Sequence, residues 1–250
     1  MIVVVTGGNR GLGLALVGLL RDAGHTVVVG CRAPPPGAAP ALDLASPASI
    51  ARFVAELRGQ PIDVLVNNAG AMFATHALTA AGVERTLAVN CVGPLQLTEA
   101  LAPVRIVNVV TAALGRDALD PGRRFATMSA YLSAKLALMR VARVWATDGK
   151  HVQCLHPGMM RTPMLDAPGL GGGAMRYLTP LLRPFAADPI VPARALLRLI
   201  VEEHASDTLF HRLRQVSWPA KLRDAALNQR VTAQLRALVP TDHVSPGALQ

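Results

Sequence analysis

Lysine is almost missing from this chain. Basic residues outnumber acidic ones by 25 to 16, yet only Lys135, Lys150 and Lys221 are lysine and the rest are arginine. Aromatic residues make up 4%. That scarcity argues against a single-strand nucleic-acid platform, which stacks bases on aromatic rings. The arginines run from Arg10 to Arg236 without forming a basic stripe, so nucleic acid is not an expected partner. The net charge of +9 is read as a solvated basic surface that also favours an anionic cofactor or substrate. Cysteines are three, Cys31, Cys91 and Cys154, with no C-x-x-C pair and no metal-ligand spacing. No metal site is expected, and reduced, buried thiols in a cytoplasmic protein are the simplest account. No apolar run approaches the roughly 18 residues of a membrane span. The first residues lack a basic region before an apolar one, and read as a strand rather than a signal peptide.

Apolar residues are plentiful, at 51% of 250 residues, which is enough for one large α/β domain over 1–250. Short β-branched runs alternate with helical patterns. Ile2–Val5, Thr26–Val29, Ile62–Val66, Ile106–Val110 and Val152–Leu155 read as buried strands, with a short one at Thr208–Phe210. Helices are predicted at Leu12–Ala23, from Ser46-Pro47 to about Gly59, at Val83–Leu101, Ser129–Thr147, Pro192–His204 and 219–239. Gly93-Pro94 should disturb the third of these. Ala33–Pro40 is a loop, and 159–191, with its Gly171-Gly172-Gly173 run, is a long irregular segment. Strands separated by helices imply a doubly wound parallel sheet, a Rossmann fold, with helices on both faces. Such sheets take ligands at the carboxyl ends of their strands.

Thr6-Gly7-Gly8-Asn9-Arg10-Gly11-Leu12-Gly13 joins the first strand to the first helix. Dinucleotide phosphates need close backbone approach, unpaired N–H groups and a helix N-terminus, and glycines 7, 11 and 13 permit all three. Asn9, Arg10 and Leu12 fill the rest of the cradle. The second strand ends at Cys31-Arg32 with no acidic residue. An acidic side chain there would hold the ribose hydroxyl of NAD, whereas Arg32, with Arg10, suits the 2′-phosphate of NADP. NADP(H) is therefore expected over NAD(H). Asn67-Asn68-Ala69-Gly70 follows the third strand directly, at the ligand edge. Tyr131 and Lys135 stand four apart on a predicted helix and share a face. A phenol has a pKa near ~10, and a neighbouring ammonium favours its ionised form, the direction needed for proton transfer.

These four motifs, the glycine turn, Asn67–Gly70, Tyr131-x-x-x-Lys135 and Pro157-Gly158, resemble those of the short-chain dehydrogenases/reductases over roughly residues 1–165. The wording around Val83–Asn90, Tyr131–Leu136 and His156–Thr162 looks most like the retinol-dehydrogenase-like and carbonyl-reductase-like branches. The resemblance implies that Tyr131 exchanges a proton with a carbonyl oxygen, while Lys135 holds the nicotinamide ribose and lowers the Tyr131 pKa. Thr111 would stand where the family usually has Ser, with Ser129 as a rival hydroxyl. Asn90 would keep a water chain behind Lys135. Asn68, Ala69 and Gly70 would line the adenosine ribose, Asp43 and Leu44 the adenine, and Pro157, Gly158 and Thr162 the nicotinamide. Residues 159–191 would cover a hydrophobic carbonyl or alcohol substrate, aromatic or polyketide-like, since the stretch is rich in Met and Leu. Residues 192–250 would form C-terminal helices, and a homodimer or homotetramer would pair through the helices carrying Asn90 and Tyr131. The competing reading is a catalytically silent NADP-binding regulator on the same fold.

Overall fold

The computed structural model describes residues 1–34, 40–111, 115–116, 119, 125–158 and 187–240. Thr162, most of the substrate-covering segment, Arg123 and Arg124 lie outside the described residues.

Strand β1 (Ile2–Thr6) is a continuous apolar run because both its faces are covered. Val3 and Val5 point to one core and Val4 to the other, as the two-residue repeat of a strand requires. The turn after β1 leads into α1 (Gly11–Asp22), then β2 (Thr26–Gly30), α2 (Pro47–Glu56) and β3 (Val64–Asn67). Ser46 caps α2 by accepting from the Ser49 amide, with Pro47 at its first turn. Next come α3 (Arg85–Leu87), a wide π-turn (Ala88–Val92) and α4 (Gly93–Leu101). β4 (Arg105–Val109), the long α5 (Thr127–Thr147), β5 (His151–His156), α6 (Ile190–Val201), β6 (Thr208–His211) and β7 (Arg214–Val216) follow. A 3-10 turn (Ala220–Leu222) and α7 (Ala225–Arg236) complete the described elements.

The strands form one sheet in the order β2-β1-β3-β4-β5-β6-β7, parallel throughout except the last pair. This is the predicted doubly wound Rossmann sheet. Among the described residues only β2 lies outside β1, where the six-stranded order of the dinucleotide-binding folds carries two strands. Residues 31–46 connect β2 to α2. Helices α1 and α6 pack on one face, over Val3, Val5, Val64 and Leu155. Helices α2, α4 and α5 cover the other. The tail helix α7 lies outside α5 as an additional layer.

Three local readings shift. The disturbance predicted at Gly93-Pro94 appears one turn earlier, as the π-turn over Ala88–Val92. Proline lacks the N–H that would close the regular ladder, and the wider turn absorbs that loss. Helix α5 starts at Thr127 rather than Ser129. The predicted 219–239 helix is broken at Asp224, whose carboxylate caps α7 by accepting from the Leu227 amide.

Candidate active site

The carboxyl ends of β1 and β3 sit side by side, and the chain departs from β1 toward β2 on one flank and toward β3 on the other. This is the point where a crevice must open. Gly7 stands there at φ +67°, and its amide donates to the Gly30 carbonyl at 2.7 Å. That bond draws the turn against the end of β2. A Cβ on Gly13 would lie 2.3 Å from the Gly7 carbonyl oxygen, so this crossing admits no side chain. Arg10 occupies the N-cap of α1 in an extended conformation, makes no capping bond, and no acidic residue enters the first turn. The first amides of a 12-residue helix therefore face the crevice without a side-chain acceptor. This cradle fits a diphosphate. Asn9, Arg10 and Arg32 are exposed around it, and neither arginine has an ion-pair partner among the described residues.

Across the switch point, Thr6 Oγ1 accepts from the amides of Asn68 and Ala69 and donates to the Val66 carbonyl. Asn68 Nδ2 donates to the Thr6 carbonyl at 2.8 Å. Asn68 thus fastens the β3 turn to the cradle. Asn67 lies behind it, fully buried, with Nδ2 shared between Thr98 Oγ1 and Asn108 Oδ1. That bond set has no local sequence signal, because it depends on Asn108 of β4 lying in register with Asn67. Asp43 Oδ1 accepts from the Ala45 amide, and Leu44 is buried with its carbonyl against Gly93.

Helix α5 brings the proposed catalytic pair to the same edge. It connects two parallel neighbours, β4 and β5, so it runs back against them with its N-terminal end at their carboxyl edge. Lys135 is 2% exposed, and its Nζ donates to the Val109 carbonyl at 3.0 Å. One helical turn earlier, about 6 Å toward the edge, stands Tyr131. Thr111 lies two residues beyond Val109, a similar rise along the chain. Among the described residues the Tyr131 and Thr111 hydroxyls have no hydrogen-bond partner, so both are available. Ser129, the rival residue, has an interaction of its own.

The proton balance runs against one expectation. Burial pushes the Tyr131 phenol up to about 12 rather than down. Burial also pushes the Lys135 ammonium down to about 8, with the Cys91 and Cys154 thiols opposing that shift. Taking a charge out of water costs more than a single buried lysine returns. Asn90 is fastened through its side chain. Its Nδ2 donates to the carbonyls of Ala71 and Thr86, and its Oδ1 accepts from the Ala71 amide, so it anchors the chain after Gly70. The π-turn is what aims it there.

Further residues approach this site without any sequence signal. Thr127, one turn before Tyr131, donates to the Ala74 carbonyl, and His76 meets the Phe125 ring edge-on at 5.7 Å. Arg85 lies over the Phe73 ring at 3.9 Å. At the end of β5, Pro157 is buried and Gly158 takes φ +81°. His156 stacks on His211 at 4.9 Å, and burial, His211 and Arg212 together push it down to about 4. Among the described residues no group of His, Cys, Asp or Glu could hold a metal ion.

The family described as short chain dehydrogenase matches residues 1–169. The chain belongs to the short-chain dehydrogenase/reductase family. Human retinol dehydrogenase 13 is 29% identical over 95% of this chain and 84% of its own length. Bovine dehydrogenase/reductase SDR family member 13 is 34% identical over 73% of this chain and 56% of that one. Among solved structures, the 3-alpha-hydroxysteroid dehydrogenase of Pseudomonas sp. B-0831 complexed with NADH aligns with TM-score 0.65 and 26% identity, covering 84% of this chain and 94% of that one. A blue fluorescent protein from a metagenomic library, in complex with NADPH, aligns with TM-score 0.60 and 26% identity, covering 82% and 90%. As a short-chain dehydrogenase/reductase the chain is an oxidoreductase, and the glycine cradle, Asn68, Tyr131 and Lys135 fall within the matched span. No helix among the described residues is long and apolar enough to cross a membrane.

Proposed function

We propose that this oxidoreductase interconverts a carbonyl and an alcohol on a hydrophobic small molecule, using NADP(H), with Tyr131 as general acid and base. The observation that carries the reading is the Tyr131 phenol, without a hydrogen-bond partner among the described residues and one helical turn from a Lys135 anchored on Val109, two residues before Thr111. The crevice fits a dinucleotide. Its phosphates would rest on the Gly7–Gly13 turn and the amides of α1, its adenosine between Arg32, Asp43, Leu44 and Asn68 to Gly70, its nicotinamide beside Pro157, Gly158 and Thr162. When bound, the nicotinamide supplies or takes the hydride.

In the reducing direction, the substrate carbonyl oxygen sits between two hydroxyls. Thr111 donates a hydrogen bond to it, and its β-branched side chain holds that hydroxyl in few rotamers. Tyr131 transfers its proton to the same oxygen as negative charge builds there. Lys135, with one donor held by Val109 and two left, offers a positive charge to the phenolate that remains. At about 12, the phenol keeps its proton until that acceptor arrives. Asn90 fixes the Ala71 backbone beneath the pocket.

Relatives named for retinol and for a 3-alpha-hydroxysteroid support an apolar substrate. The choice of NADP rests on Arg10 and Arg32, two unpaired guanidinium forks beside the cradle, since the aligned structures hold both NADH and NADPH. Three unpaired, buried cysteines support a reducing, cytoplasmic setting. The test is NADPH consumption by purified protein with a panel of apolar aldehydes, ketones and quinones. Turnover that vanishes in Tyr131→Phe, together with tighter binding of NADPH than NADH, supports the reading. Tight NADPH binding without turnover on any of them would favour the silent regulator.

A further inference from the structure

The segment after β7 reaches back to the active-site helix. Arg140, on α5 and 7% exposed, donates from Nη1 to the Lys221 carbonyl at 3.0 Å and to Asn228 Oδ1 at 2.7 Å. Asn228 Nδ2 in turn donates to the Leu222 carbonyl at 2.9 Å. The backbone at 221–222 is thus held from two sides, and Leu222 is fully buried. From that fixed point the Lys221 side chain extends to the chain beyond Thr111, and its Nζ donates to the Gly115 carbonyl at 3.2 Å.

Gly115 rests directly on α5. A Cβ there would stand 2.4 Å from the Leu132 carbonyl oxygen, and Leu132 is the residue after Tyr131. The next amide, of Arg116, donates to Ser133 Oγ at 3.1 Å. The 115–116 stretch is therefore seated on the turn of α5 that presents Tyr131, four residues past Thr111. We propose that Lys221 is a positioning residue. It clamps 115–116 onto α5 from outside and so fixes the Thr111 hydroxyl opposite the Tyr131 phenol. A lysine suits this strut, because its four-carbon stem spans from the 3-10 turn and its ammonium makes a charge-assisted bond to a carbonyl. The inference rests on the roles given above to Tyr131 and Thr111.

The Lys221 side chain is exposed, so replacing it opens no core. In Lys221→Met, kcat falls about tenfold through misplacement of the hydroxyl pair, while KM for NADPH stays within about twofold of wild type. Lys221→Arg, which keeps a long cationic donor, restores kcat. Hydrogen exchange at the Arg116 amide gives a readout independent of turnover, and it quickens in Lys221→Met. If Tyr131→Phe is silent but Lys221→Met turns over like wild type, the strut is overturned and the catalytic reading stands. A loss that Arg does not rescue, accompanied by a lower Tm and a raised KM for NADPH, overturns it as well. If wild type itself shows no turnover, the catalytic reading fails, and unchanged exchange at Arg116 in Lys221→Met then overturns the strut on its own.

Discussion

Lys135, Cys91 and Cys154 are buried close to one another, with the half-buried Tyr131 one turn from Lys135, and desolvation shifts each toward its neutral form. The signs oppose. Lys135 falls from 10.5 to about 8, so between those values the unfolded chain binds a proton that the folded chain has released. Stability therefore rises with pH above 8. The two thiols rise from 9.0 to about 12, so above 9 the unfolded chain loses two protons that the folded chain keeps, and stability falls. Tyr131, raised from 10.0, adds to that fall above 10. Urea unfolding between pH 7 and 11 should accordingly peak near pH 9. In the double variant Cys91→Ala, Cys154→Ala the downturn should start about a unit later, at the phenol. An unchanged slope between 9 and 10 would contradict the burial argument. The sequence made the identity and spacing of Tyr131 and Lys135 legible, because a four-residue step on a helix is local. The upward shift of the phenol and the carbonyls that Asn90 meets were not legible there. Both depend on how much water a group retains and which distant carbonyl it meets.

At the scale of elements, the first glycine turn is where geometry is least forgiving. Thr6 to Gly13 is a strand-turn-helix unit written in eight consecutive residues, so a sequence reading finds it. Its tightest crossing is the Gly13 Cα against the Gly7 carbonyl. Gly13→Ala would place carbon 2.3 Å from that backbone oxygen, so the turn must open. Overpacking of this kind costs about 1–3 kcal/mol, a small share of a domain's stability but enough to displace the amides that face the phosphates. The expected outcome is a folded protein, by circular dichroism, whose NADPH Kd rises at least about tenfold, since 1.4 kcal/mol is a factor of ten. Calorimetric titration checks it, and unaltered affinity would remove the cradle from the cofactor site. Elements set by distant partners were less legible. The π-turn arises where α3 and α4 meet ahead of Pro94. β7 is a three-residue edge strand of Arg214, Gln215 and Val216, all exposed, which carries no periodic signal.

The whole molecule is shaped by what covers α5. Residues Ser133 to Ala142 are all buried, a run of nearly three turns with no outward face. A helix buried all round needs neighbours on every side. The sheet and α3 to α4 supply some of them, and α7 supplies the rest through Val231 and Leu235, which pack in one cluster with Leu138, Val141 and Trp145. Arg236 adds an ion pair to Glu99 on α4, with both partners over a third exposed. Exposed pairs are worth about 0.2–1 kcal/mol, whereas each fully buried Val or Leu contributes about 1.5–3 kcal/mol, so the apolar seam holds α7 in place. The family resemblance implies pairing of subunits through the helices that carry Asn90 and Tyr131. Here the tail helix α7 packs on α5, so pairing through the Tyr131 helix would have to displace it. The other open edge, β7, is short and begins with Arg214, and short, charged edges resist pairing. Sedimentation at 1–100 µM should therefore give a single species of 26.3 kDa, with activity per mole unchanged on dilution. Val231→Arg forces a guanidinium into the seam, which loosens α7 and exposes Leu138 and Trp145. That variant should melt lower and self-associate as its concentration rises. A wild-type mass of twice 26.3 kDa would mean that subunits pair by another face, and an unaltered Tm in the variant would mean that α7 does not seal α5.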